Sequence, residues 1–159
     1  MVVATGFFDG VHLGHRLVLK QLTAAAAERG LPSAVVTFWP HPRTVLQDDA
    51  RDLRLLTTLD EKKRLFRDAG ATQIHIRIAS PKYAYPCYYG IDTGSREQLI
   101  GAEHDVPDIC RYLGADSLGY LSEEALYQAA GRSRLCTACF SGRYPTDLYG
   151  RDPLTPSGK

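Results

Sequence analysis

Tryptophan and methionine each occur once in this chain of 159 residues. No apolar stretch approaches the roughly 20 residues that a membrane-spanning helix needs. An excess of charge of one sign is missing too: 19 basic side chains stand against 18 acidic ones, a net of +1. With no global field, neither nucleic acid nor an anionic membrane is expected as a partner. The opening run MVVATGFF has no basic flank, and Asp9 interrupts it. It reads as a strand and not as a secretory leader. Four cysteines without such a leader lead to an expectation of reduced thiols in a cytoplasmic protein. Internal repeats are absent. What is present is ordinary for a folded protein: 44% hydrophobic and 23% charged residues exclude a disordered or fibrous chain. The length fits one domain with a sizeable core.

Hydrophobic patterning then places the elements. VVATGFF is a short, nearly continuous apolar run, suited to a strand covered on both faces. After the Asp9-Gly10 turn, GHRLVLKQLTAAAAERG places Leu17, Leu19, Leu22 and the alanines at helical spacing, with Gly30 and Pro32 as the stop. SAVVTF reads as a second strand. WPHPRTVLQDDARDLRLLT is too long for an idle connection in a compact domain. Thr58 and Glu61 form the signature of a capping box ahead of the helix LDEKKRLFRDA. QIHIRIAS alternates as a third strand, and an aromatic, turn-rich loop, PKYAYPCYYGIDTGSRE, follows it. REQLIGAEH reads as a helix. VPDICRYLG reads as another, with Asp105 as N-cap and Pro107 in its first turn. SLGYLS is a short strand, Ser122 caps EEALYQAAG, and the remainder has no clear period.

Strands alternating with helices predict an α/β fold. The expected form is a single open parallel sheet of four to five strands with helices on both faces, Rossmann-like and doubly wound, in the order 3-2-1-4. One domain over 1–150 would have halves at 1–72 and 73–150, with a loose tail at 151–159. An open edge at the third or fourth strand would allow a second copy of the chain to cover it.

The stretch GFFDGVHLGHR sits at the joint between the first strand and the first helix. A helix starting near Gly14 aims free backbone N–H groups and the positive end of its dipole at the strand's carboxyl edge. Gly10 and Gly14 let a phosphate approach the backbone. His12 and His15, three residues apart, can both face that spot and donate hydrogen bonds to phosphate oxygens. Donors fixed there would stabilise charge growing on a phosphate attacked in line. Asp9 either orients a magnesium ion or caps the turn. Arg16, Lys20 and Arg43 are the local candidates for a β-phosphate contact, with Arg96 more remote.

GFFDGVHLGHR, followed by VVTFWPHPRTVL and LRLLTTLDEKKRLF, closely resembles the FMN adenylyltransferase domain of bacterial bifunctional FAD synthetase, a riboflavin kinase and FMN adenylyltransferase of FAD biosynthesis. The resemblance covers about residues 1–72. It implies a nucleotidyltransferase α/β fold, with ATP phosphate contacts at His12 and His15. It also implies a flavin-side role for the loop around Pro40, His41 and Pro42, and Gly6, Phe7, Asp9, Gly10, Gly14 and Arg43 complete the set of candidate cofactor-binding residues. The family's later ATP-binding segments, a phenylalanine-arginine-phenylalanine-glycine run and a serine-rich arginine motif, have no counterpart here.

From about residue 70 to 146 the sequence resembles a second family. The segment from IHIRIASPKYAYPCYYGIDTGSRE through SLGYLSEEALYQAAG, together with LCTACFSGRYPT, is similar to the C-terminal part of glutamine amidophosphoribosyltransferase. That family's ribose-phosphate binding loop has no counterpart in these residues. In its iron–sulfur subgroup, cluster cysteines lie in the two motifs matched by Cys87, Cys136 and Cys139. Three thiolates are one short of a closed site. Zinc would need His104 or Cys110 as a fourth ligand; the alternative is free, partly buried thiols.

The apolar pattern runs unbroken over the seam, from Leu65, Phe66 and Ala69 on the helix to Ile74, Ile76 and Ile78 on the strand. This favours one chimeric α/β scaffold, engineered or recombined, that keeps an ATP or phosphate-binding loop without efficient catalysis. The alternatives are FMN adenylyl transfer, a metal-binding or iron–sulfur fragment, and amidophosphoribosyl transfer. The last is placed behind the others because the ribose-phosphate loop is missing. A nucleotide or flavin is the expected partner in the first two cases.

Overall fold

The structure, a computed structural model, describes residues 1–42, 44, 54–93, 95–132 and 134–148. Arg43 and the tail at 151–159 lie outside these described residues. Where the sequence leads to one domain over 1–150, the chain forms two compact units, Met1–Thr72 and Gln73–Lys159.

The first unit opens with β1 (Val2–Thr5), a 3-10 turn at Asp9–Val11, α1 (Leu13–Glu28) and β2 (Ser33–Val36). The helix α2 (Leu59–Asp68) closes it. β1 and β2 pair in parallel, in register from Val2 opposite Ser33 to Thr5 opposite Val36. The Gly6 N–H donates to the Val36 carbonyl and carries the ladder one step further. Gly30 takes a positive φ of 61° and Leu31 N–H returns to the Ala26 carbonyl, which ends α1 as the glycine predicts. The capping box forms: the Thr58 hydroxyl accepts from Glu61 N–H, and the Glu61 carboxylate accepts from Thr58 N–H.

Phe8, Val11 and Leu19 make the core of this unit, with Ala4, Val35, Leu65 and Phe66 packed against them. Leu22 and Ala26 are buried on the same face of α1 as Leu19, as spacings of three and seven residues require. Leu17, expected beside them, is 58% exposed. Two residues along a helix are about 200° apart, so Leu17 and Leu19 cannot share a face.

The second unit contains β3 (His75–Ile78), a 3-10 turn at Arg96–Gln98 and α3 (Ile100–Glu103). Next come α4 (Val106–Tyr112), β4 (Ser117–Tyr120), α5 (Glu123–Ala130) and α6 (Ala138–Ser141). β3 and β4 pair in parallel from His75 opposite Ser117 to Ile78 opposite Tyr120. Asp105 caps α4 and Ser122 caps α5, each accepting from the N–H three residues on. The helix expected over REQLIGAEH is broken at Leu99, whose backbone is extended. A Cβ at Gly101, in the first turn after the break, would overlap the Tyr83 carbonyl oxygen. The aromatic loop is fastened to the C-terminal segment. Ala84 and Tyr85 N–H both donate to the Cys139 carbonyl, at 3.1 and 3.0 Å. Tyr144 donates its hydroxyl proton to the Pro86 carbonyl at 2.6 Å.

The architecture is thus mixed α/β with short parallel sheets. The four described strands form two two-stranded sheets, β1-β2 and β3-β4, and not the single open sheet of four to five strands in the order 3-2-1-4. The physical reason lies at the seam. Alternation over Ile74, Ile76 and Ile78 shows that the strand has a buried side, but it does not choose the pairing partner. β3 bonds to β4, and Asp116 N–H to Ile74 O and Leu121 N–H to Ile78 O extend that ladder at both ends. Leu65 and Phe66, just before the seam, pack on Phe8, Val11 and Leu19 of the first unit. No described helix is long and apolar enough to cross a membrane.

Candidate functional site

The turn after β1 has an unusual backbone. Phe8 and Val11 take positive φ angles of 54° and 36°, and Gly10 sits between them at 70°. Two non-glycine residues in the left-handed region are costly, and they persist only where surrounding structure fixes them. Here burial fixes them: Phe8 and Val11 are 3% and 1% exposed. The turn is also tied from outside. The Asp9 carboxylate accepts from Leu56 N–H at 2.7 Å, from Thr57 N–H at 3.1 Å and from the Thr57 hydroxyl at 2.8 Å. Gly10 N–H donates to that same Thr57 oxygen at 3.3 Å. Burial pulls the Asp9 carboxyl upward, but the bonds from Leu56 and Thr57 and the Lys62 charge outweigh it and hold its pKa below the usual value. Of the two roles open to Asp9, the geometry shows it fastening the turn to the approach of α2.

His12 is the N-cap of α1, its Nδ1 accepting from His15 N–H at 3.4 Å. The two imidazoles stack with centroids 3.7 Å apart and an interplanar angle of 20°. A Cβ at Gly14 would lie 3.3 Å from the His12 ring, so glycine leaves room for that stack. His15 also leans on Phe8 at 5.0 Å. Its Nδ1 is buried with no hydrogen-bond partner among the described residues. Burial depresses the His15 pKa, and His12 and Lys62 push the same way against an opposing Asp9. Burial therefore favours the neutral imidazole.

Phe7 lies beneath the His41 ring, edge-on at 4.2 Å, which brings the loop of Pro40, His41 and Pro42 to the β1 turn. A Cβ at Gly6 would stand 3.0 Å from the Phe8 ring. The structure therefore gathers Gly6, Phe7, Asp9, Gly10, His12, Gly14, His15 and His41 at one end of the sheet. Arg16, considered for a β-phosphate contact, donates from Nε to the Val11 carbonyl at 3.3 Å.

Sequence reasoning missed Lys62. It is 2% exposed and donates from Nζ to the Phe7 carbonyl at 2.6 Å and the Phe38 carbonyl at 3.4 Å. The ammonium also lies 3.7 Å from the Phe7 ring centroid and 5.6 Å from that of Trp39. One signal could have found it. Lys62 is in phase with Leu65, Phe66 and Ala69, a lysine standing in the apolar stripe of α2.

In the second unit, Cys87, Cys136 and Cys139 lie close enough to feel one another. Burial raises the Cys139 thiol pKa, and Cys87 and Cys136 add to that. All four cysteines are free. Among the described residues no three His, Cys, Asp or Glu side chains come together as a set able to hold a metal ion.

Residues 1–78 match the family model described as FAD synthetase. The chain is also 42% identical to the amidophosphoribosyltransferase of Bacillus subtilis strain 168 over 97% of its own length and 33% of the relative's. It is 43% identical to that of Methanocaldococcus jannaschii over 90% and 30%, respectively. Among solved structures it resembles the glutamine phosphoribosylpyrophosphate (PRPP) amidotransferase from B. subtilis, complexed with ADP and GMP. That match has a TM-score of 0.54 at 28% identity and covers 94% of this chain and 39% of the other. The chain thus spans about a third of the length of these relatives. Both resemblances read from the sequence are present. The reading of a chimeric scaffold without efficient catalysis is corrected, however, because the match to amidophosphoribosyltransferases runs through both units. These relatives bear the name of the phosphoribosyl-transfer reading, which the sequence placed behind the others for its missing loop.

Proposed function

We propose that the chain is a nucleotide-binding part of a phosphoribosyltransferase of the amidotransferase kind, whose chemistry uses PRPP. One observation carries this reading: 42% identity to an amidophosphoribosyltransferase over 97% of the chain. The first unit contributes the loop best shaped for a phosphate. There a strained turn, the N-terminus of the 16-residue helix α1 and two stacked imidazoles meet at one sheet end. A phosphate at this place would accept from His15 and from the Nε2–H of His12, whose Nδ1 is taken by the helix cap, and its negative charge would favour the protonated form of His15. The ligands in the B. subtilis complex, ADP and GMP, indicate the nucleotide class to try first. If magnesium accompanies the nucleotide, it must find its ligands chiefly on the phosphates, since the Asp9 oxygens are engaged by Leu56 and Thr57.

The test is a titration with ADP, GMP and PRPP, followed amide by amide. ADP or GMP should shift the amides of Phe7 to Arg16, and His15→Ala should weaken that binding about tenfold. PRPP turnover, read as pyrophosphate released in the presence of ammonia, tests the transferase reading separately. Shifts confined to other segments would overturn the site. No pyrophosphate release by the chain, alone or mixed with the remaining parts of such an enzyme, would overturn the transferase reading.

A further inference from the structure

Among the described residues Lys62 is the one buried charged side chain, and the phosphate-loop reading leaves it without a role. A lysine 2% exposed is rare, because an ammonium loses its hydration on burial. Two backbone carbonyls replace that water here, Phe7 O and Phe38 O. They belong to the segments leaving β1 and β2, adjacent strands of one sheet. The Thr37 hydroxyl also donates to Phe7 O, at 2.7 Å. The two strand exits are therefore joined through one carbonyl and one ammonium. Phe7 immediately precedes the strained turn, and its ring packs against both Lys62 and His41.

We infer that Lys62 is a positioning residue for the anion site: its buried ammonium pins the exits of β1 and β2 in place and supplies a fixed positive charge at Phe7, where the turn that leads to His12 and His15 begins. This rests on the phosphate-binding reading of the first unit and assigns a source for part of its attraction. The charge would act through low-dielectric protein, so salt screens it less than it would a surface lysine. The titratable groups whose electrostatics act on His15 are His12, Asp9 and Lys62, with the His12 and Phe8 rings packed against it. Lys62 and Asp9 pull its proton affinity in opposite directions. Removing the Lys62 charge leaves Asp9 less opposed.

Two measurements on the full chain test this. The first is the pH titration of the His15 ring by NMR in the absence of nucleotide. Its midpoint should rise in Lys62→Met and stay at the wild-type value in Lys62→Arg. A lysine that only filled space would leave the midpoint unchanged. The second is ADP affinity by calorimetry, with thermal melts confirming that each variant is folded. Lys62→Met should lose about tenfold and Lys62→Arg much less. An unmoved His15 midpoint in folded Lys62→Met overturns the inference. So does an equal loss of affinity in both variants, which would show that shape alone matters. If Lys62→Met does not fold, a raised midpoint in Lys62→Arg overturns it. Wild-type protein that fails to bind ADP would remove the nucleotide reading itself, while the ligand-free titration decides the Lys62 charge on its own.

Discussion

His15 ties ligand binding to pH. Its folded pKa lies below the ordinary value because burial, then the charges of His12 and Lys62, disfavour the imidazolium. Between that depressed value and the ordinary one near 6.5, the unfolded chain binds more protons than the folded one. Stability therefore rises with pH through this window and falls on acidification. The lowered Asp9 pKa acts further down the scale: its contribution is present above the ordinary carboxylate value and is lost as pH falls through the folded one. Urea melts from pH 7.5 to 4.5 should show this slope, and His15→Gln should flatten its upper part. The same two histidines were visible in the sequence, since glycines and a strand-to-helix joint surround them. Lys62 was not, because a lysine in an amphipathic helix is read as solvated unless the carbonyls that replace its water are known. Those carbonyls come from Phe7 and Phe38, 55 and 24 residues away.

At the scale of elements, local signals were the dependable ones. Thr58 and Glu61 form the capping box that their spacing predicts. Thr58→Ala should cost about 1 kcal/mol, read as faster amide exchange in the first turn of α2. Because α2 carries Lys62 and follows the Thr57 contact to Asp9, the variant should also loosen the turn before α1. Strand existence was equally legible, since all four short runs form strands. Pairing was not. Periodicity reports that a face is buried and is silent on what covers it, so the unbroken pattern across residues 65–78 was consistent with one sheet and equally with two. The break at Leu99 was invisible for a similar reason. REQLIGAEH has good helix formers, but Gly101 lies against the Tyr83 backbone, a long-range contact. Gly101→Ala must push that carbonyl away and should destabilise the second unit by about 1–3 kcal/mol, measured by chemical denaturation with the β3-β4 amides as the probe.

For the molecule as a whole, a net charge of +1 leaves little long-range attraction for a phosphate ligand. Whatever holds a nucleotide must therefore be local: the α1 terminus, two imidazoles and a lysine 2% exposed. Local and partly buried charges are screened far less than a basic surface, because the Debye length falls only from about 14 to 7 Å between 50 and 200 mM salt. ADP affinity should accordingly change by less than about threefold over that range, whereas a site made of several exposed lysines and arginines would weaken much more. Calorimetric titration at the two salt concentrations, at a pH above the ordinary histidine value, separates the cases. Repeating it at a pH below the depressed His15 pKa should strengthen binding at both salts, since the imidazolium that burial disfavours is the form an anion stabilises. A steep salt dependence at the higher pH would instead place the nucleotide on an exposed basic surface, away from His12 and His15.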